Sequence, residues 1–197
     1  MKAIVTWVGL IVFVIGTGVG IEAALEPGDP FGGGSSGSDS GFSHAYVGTP
    51  YNWPSPVIVT NGSAPVRITA AWVPNLPAGL TAIILATPSG DYKLNCLGCP
   101  GDLRKYHPDE IVPLGSVTLR VGDPAAMLPT NYEQLQVVLT PHHLGTFHID
   151  GYDVAWLSEG HTGVHFVAVG LTLYTDRTGP DPSLNSPGNP YGPGWRQ

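Results

Sequence analysis

Imidazole and thiol are the side chains through which this chain would do chemistry, and both are unevenly placed. Of its seven histidines, His142, His143, His148, His161 and His165 crowd into the last third of the sequence, whereas His44 and His107 stand apart. If the segments carrying those five pair with one another, several imidazoles converge, and imidazole together with thiolate suits copper or zinc. The competing reading is a set of edge or surface histidines in a chain short of lysine. Even spacing puts His161 and His165 on one strand face only if the strand already begins at His161, and Gly160 and Gly163 argue for a turn there. The two cysteines, Cys96 and Cys99, sit in the string NCLGCPG. An even pair this close is most simply a local disulfide in an oxidising compartment. A redox pair needs a helix N-terminus to depress a thiol pKa, which Gly98, Pro100 and Gly101 disfavour. A metal site built on two thiolates needs further ligands from elsewhere in the chain.

Other candidates are fewer. Neither a phosphate loop nor a His-Glu-x-x-His zinc helix is present, and Asp109, Glu110, Asp150 and Asp153 sit singly in turns or exposed strand positions. No catalytic residues are assigned, and the expectation is that the chain is not an enzyme. Trp53, between Asn52 and Pro54, reads as an exposed aromatic contact, whereas Trp72 reads as core. The net charge of −7, from 15 acidic and 8 scattered basic residues, offers no cluster that would neutralise phosphates, so nucleic acid is not an expected partner.

The elements that must position these residues begin with Ala3 to Ile21, nineteen residues without a charge. At about 1.5 Å per helical residue this approaches the thickness of a bilayer's hydrocarbon core, and residues 1–25 read as an uncleaved signal-anchor helix. A cleavable signal peptide, leaving a secreted chain, is the alternative, with Ala23 and Ala24 at the cleavage position. Lys2 precedes the run, and Glu22, Glu26 and Asp29 follow it, so the positive-inside bias puts the N-terminus in the cytoplasm and the remainder outside. Residues 26–41, rich in Gly and Ser, read as a flexible tether reaching on the order of 22 Å. Residues 177–197, dominated by Pro and Gly, read as an extended or disordered tail in which Tyr191 and Trp195 are incidental.

Residues 42–176 form the expected domain. Only 12% of the residues are charged, while 27 Gly and 20 Pro mark a turn-rich chain, and the natural class is all-β. Strands are expected at Pro56–Thr60, Val66–Val73, Thr81–Thr87, Ser116–Val121, Gln134–Thr140, Thr146–Ile149, Tyr152–Leu157 and Val164–Tyr174, with one helical turn around Pro124–Leu128. Asn61-Gly62 and Glu159-Gly160 supply turn chemistry for hairpins. Alternation places Val66, Ile68, Ala70 and Trp72 on one core-facing side. Strands of this length and spacing suggest a two-sheet sandwich.

The stretch LTPHHLGTFHIDGYDVAWLSEGHTGVHFVAVGLTLYT resembles the last two strands of an immunoglobulin-like sandwich, in which a Leu-x-x-Gly-x-aromatic corner leads into a long terminal hairpin. Leu144, Gly145 and Phe147 stand at that corner, with Phe in place of the Tyr whose hydroxyl would bond the backbone. The resemblance implies a surface ectodomain, membrane-anchored through residues 3–21, that works as a structural or adhesive module with a protein partner or by self-association. No cofactor is expected under that reading. The alternative is an extracytoplasmic copper or zinc protein, or a redox protein, using the late histidines and the cysteine pair.

Overall fold

A computed structural model of the chain describes residues 30–31, 40–56, 64–87, 98–119 and 134–193. The apolar segment 3–21, Asn61-Gly62, Cys96, the turn at Pro124–Leu128 and Trp195 lie outside the described residues. The structure is mostly β, in two sheets. Its strands are β1 (Ser40–Tyr46), β2 (Tyr51–Pro56), β3 (Val66–Trp72), β4 (Leu80–Thr87), β5 (Cys99–Pro100), β6 (Thr118–Leu119), β7 (Gln134–Pro141), β8 (Gly145–Ser158) and β9 (His161–Arg177). The five-stranded sheet runs β1-β9-β8-β3-β6 and the four-stranded sheet β4-β7-β2-β5. All described pairings are antiparallel except β1 with β9. No helix among the described residues is long and apolar enough to cross a membrane.

The two sheets enclose one core. Tyr51, Trp53, Ile84, Val137 and Leu139 from one sheet cluster with Ile68, Phe147, Val154, Trp156 and Leu171 from the other. β7 does not alternate: Leu135 to Leu139 are all buried, including Gln136. The reason lies on the outer side of the four-stranded sheet, where a second cluster of Leu103 and Tyr191, with Leu85, Cys99 and Ile111 against it, covers the strands. Leu103 comes from a one-turn helix, Leu103–Tyr106, capped by the Asp102 carboxylate accepting from the Arg104 N–H at 3.1 Å.

Three expectations about elements are corrected. β2 occupies Tyr51–Pro56, ahead of the strand expected at Pro56–Thr60, of which residues 57–60 lie outside the described residues, and it forms although it holds Pro54 and Pro56. Both prolines are in phase with Asn52, whose carbonyl accepts from Gly98 on the side away from β7, so the missing N–H groups cost no bond to β7. The strands at Thr146–Ile149 and Tyr152–Leu157 are one continuous strand, its register shifting between Ile149 and Gly151. A Cβ at Gly151 would fall 2.1 Å from the Val167 carbonyl oxygen, so only glycine admits this approach. The turn between β8 and β9 ends at Gly160: Glu159 and Gly160 both have positive φ, and the strand resumes at His161.

Both flanking segments depart from expectation. In the stretch read as a tether, Phe31 is buried and stacks on His165 with ring centroids 4.8 Å apart, and Ser40 and Gly41 open β1. The stretch read as a disordered tail is ordered through Pro193 and strapped across the domain. Asp181, Asn189 and Tyr191 are each at most 5% exposed. The Asp181 side chain caps a 3-10 turn, Pro182–Asn185, by accepting from the Ser183 N–H, and it also accepts from the Tyr51 hydroxyl at 2.8 Å. Asn189 Nδ2 donates to the Pro100 carbonyl at 2.7 Å, and its Oδ1 accepts from the Tyr191 N–H at 3.0 Å. These bonds satisfy the backbone of a strap whose prolines exclude a regular ladder.

Candidate functional site

The structure separates the histidines that the sequence brings together. His142 and His143 lie at the corner between β7 and β8, where His142 Nε2 is 3.2 Å from the Thr81 hydroxyl and His143 Nδ1 donates to the Leu144 carbonyl at 2.9 Å. The His143 ring also packs 5.0 Å from the ring of Phe147 and sits over Gly79. His148 is on the outer face of β8, its Nε2 donating to Asp150 at 3.2 Å and its Nδ1 2.8 Å from the Thr172 hydroxyl. His161 begins β9 exposed, and His165 lies under Phe31. His44, held in a positive-φ position, donates from Nδ1 to Asp176 at 2.7 Å. Among the described residues no three His, Cys, Asp or Glu side chains come together to hold a metal ion. The copper or zinc alternative therefore has no geometric support here. Cys99 carries no free thiol. Its carbonyl accepts from Asn52 Nδ2 at 3.2 Å, which pins the loop to β2.

The two tryptophans exchange roles. Trp53, expected to be exposed, is 4% exposed and part of the core. Trp72, expected in the core, is 42% exposed. The register shift between Ile68 and Ala70 in β3 explains the second reversal: past it the alternation changes phase, so Ala71 turns inward and Trp72 outward.

Trp72 is one member of a set that the strand pairing assembles. It lies opposite Asp153 on β8, which lies opposite Phe166 on β9. The next outward-facing row is Ala70, Ala155 and Val164, and the one after it Arg67, Leu157 and Thr162. Phe166 is 43% and Val164 57% exposed, so three large apolar side chains stand in adjacent rows on one sheet face. Cross-strand neighbours in such rows sit about 5 Å apart, so Trp72 and Phe166, on either side of Asp153, are about 10 Å apart, with Val164 in the row beside Phe166. Among the described residues the helical turn and the strap cover the centre of the four-stranded sheet, and Ile83, on its edge strand β4, is 36% exposed. The patch was not legible as such, because the three residues come from separate strands; the alternation of Val164 and Phe166 with His165 was the available signal.

A second assembly is structural. The Tyr51 phenol accepts from the Tyr46 N–H at 2.7 Å and donates to Asp181, tying β1, β2 and the strap together. Burial raises its pKa far above the ordinary tyrosine value; the Tyr46 N–H opposes the rise and the Asp181 carboxylate adds to it.

No protein-family model matches the chain, and no curated protein matches it in sequence. Among solved structures it is similar to the Vibrio cholerae VesB protease, with a TM-score of 0.33 and 11% identity over 71% of this chain and 31% of that one. The chain thus spans under a third of that protein's length. The match corrects the expectation that the chain is not an enzyme: a protease is among the structures it is similar to, and absence of catalysis is withdrawn as a conclusion. So low a TM-score carries no argument for proteolysis or for a shared fold.

Proposed function

We propose that the chain is a membrane-tethered, extracytoplasmic immunoglobulin-like domain that serves as a structural or protein-interaction module, contacting its partner through the outer face of β3, β8 and β9. The strand order supports the first part. β4, β7 and β2 follow the D, E, B order of that architecture, and β3, β8 and β9 follow C, F, G; β6 lies beyond β3 but follows β4 in the chain, which departs from the variable-type pattern. The corner residues Leu144, Gly145 and Phe147 stand where the F strand begins. The apolar run from Ala3 to Ile21, with Lys2 before it, supports the tether and its orientation. Cys96 and Cys99 are assigned to a local disulfide, in keeping with the absence of a free thiol at Cys99.

The observation that carries the interaction role is the exposure of Trp72, Val164 and Phe166 in adjacent rows of one sheet face. Large apolar side chains exposed in adjacent rows of one sheet face, while the centre of the opposite sheet is covered by its own chain, mark an interaction site. The test is site-specific photocrosslinking in intact cells, with the photoreactive side chain at Val164 and, as a control, at the exposed Lys105. The expected result is a discrete adduct from position 164, none from 105, and loss of the adduct on Trp72→Ser. Equal labelling from both positions, or an adduct unaffected by Trp72→Ser, overturns the assignment. Protease sensitivity of the domain in intact cells tests the orientation.

A further inference from the structure

Two charges share this face: Asp153 stands between Trp72 and Phe166 in their own row, and Arg67 lies beyond the row of Ala70, Ala155 and Val164. Arg67 lies one row from Ala155 on one side and Asp153 one row on the other, on adjacent strands. Among the described residues neither makes an ion pair or a side-chain hydrogen bond. They are two rows apart, about 13 Å along the strands, too far to reach each other within one chain. Along the strand direction the row of Ala70, Ala155 and Val164 is thus uncharged, with Asp153 and its two aromatic neighbours on one side of it and Arg67 on the other.

We infer that this face binds a second copy of the same chain, the two sheets meeting face to face about a two-fold axis that runs along the row of Ala70, Ala155 and Val164. This rests on the interaction role proposed above and names its partner. A two-fold axis in the interface has two simple settings on a sheet. An axis along the strands sets Asp153 against Asp153 of the other copy and brings two like charges together. An axis along the row reverses the strand direction across the interface. Each Trp72 ring then lies across from the other copy's Arg67, which favours a cation–π contact, and each Asp153 lies across from the other copy's Leu157, with that guanidinium one strand away and within reach. Only the second setting satisfies both charges, and it does so twice by symmetry. A uniformly basic partner would leave Arg67 opposed, and a uniformly acidic one would leave Asp153 opposed. The net charge of −7 lies elsewhere on the chain, since the patch and its flanks sum to zero. At about 0.1 M salt the screening length is about 10 Å, so distant carboxylates weaken such a pairing little.

The test is sedimentation of the full-length chain in detergent micelles over a wide concentration range, for wild type, Trp72→Ser, Arg67→Asp and the double swap Arg67→Asp with Asp153→Arg. Wild type is expected to dimerise reversibly. Trp72→Ser should weaken the dimer at least about thirty-fold, the loss typical of a central aromatic anchor. Arg67→Asp should weaken it about tenfold or more by opposing like charges, and the double swap should bring it back to within about threefold of wild type. Because these side chains are exposed or, for Asp153, half-buried, circular dichroism of each variant is expected to match wild type, with Val164→Thr as a second, β-compatible probe of the patch. A wild-type chain that stays monomeric, while the adduct at position 164 forms with a different protein, overturns self-association and leaves the interaction role standing. A monomer with no adduct overturns both. A dimer indifferent to Trp72→Ser overturns the surface, and a swap that fails to restore the dimer overturns the axis.

Discussion

Replacing Tyr191 by Ala asks whether the C-terminal strap is part of the folded domain. The side chain is fully buried against Leu103, and its own carbonyl oxygen sits 1.9 Å from where a Cβ on Gly101 would be, so the backbone there is as closely packed as the ring. Truncating a buried aromatic to Ala costs about 3–5 kcal/mol. The cluster is small and lies on the outer side of the four-stranded sheet, where collapse is easier than in the main core, so about 3 kcal/mol is expected. For a domain of this size that lowers Tm by on the order of 10 °C. Urea unfolding followed by tryptophan fluorescence is a suitable assay, because the buried Trp53 and Trp156 report on the core rather than on the strap. The expected result is a lower midpoint with an unchanged slope. A midpoint within about 0.5 kcal/mol of wild type would refute the reasoning, because a side chain in an extended tail is replaced at about that cost.

Three further outcomes follow from the same geometry. Asn189→Ala removes the donor to the Pro100 carbonyl and the acceptor for the Tyr191 N–H, leaving two buried backbone groups unmet; urea midpoints should fall by about 1–3 kcal/mol. Gly163→Ala places a methyl 2.5 Å from the Trp156 ring and should shift the near-ultraviolet circular dichroism of that tryptophan together with a loss of about 1–3 kcal/mol. The Tyr51 phenol, its pKa raised by burial, contributes stability that is complete below the unfolded tyrosine value of about 10 and is lost as pH rises above it. Unfolding midpoints of wild type should therefore decline above about pH 10, whereas Tyr51→Phe, less stable at neutral pH, should decline less steeply.

What the sequence made legible was what is periodic and local. The alternation in Val66 to Ile68, the β-branched run of β4, and Glu159-Gly160 each specify their element with no help from distant residues. Trp72 defeated the alternation rule because a bulge is invisible in composition, and one extra residue sends every later side chain to the other face. Trp53 and β2 were hidden by Pro54 and Pro56, whose tolerance depends on which strand flanks which side. The strap was missed because nothing in its proline-rich sequence repeats. Its signals were single residues: Asp181 before Pro182 as a cap, and Tyr191 as an anchor. The histidine cluster was a sequence cluster only, since adjacent strands of one hairpin place neighbouring imidazoles on different faces and at different ends.

The most direct test of the central claim is hydroxyl-radical footprinting of the chain, comparing intact cells with the dilute purified protein. Trp72 and Phe166 are 42% and 43% exposed in the isolated chain, and Tyr174, on β9 beyond the patch, is 47% exposed. An interaction face predicts that oxidation of Trp72 and Phe166 falls several-fold in cells while that of Tyr174 holds. Equal oxidation of all three in both settings would contradict it.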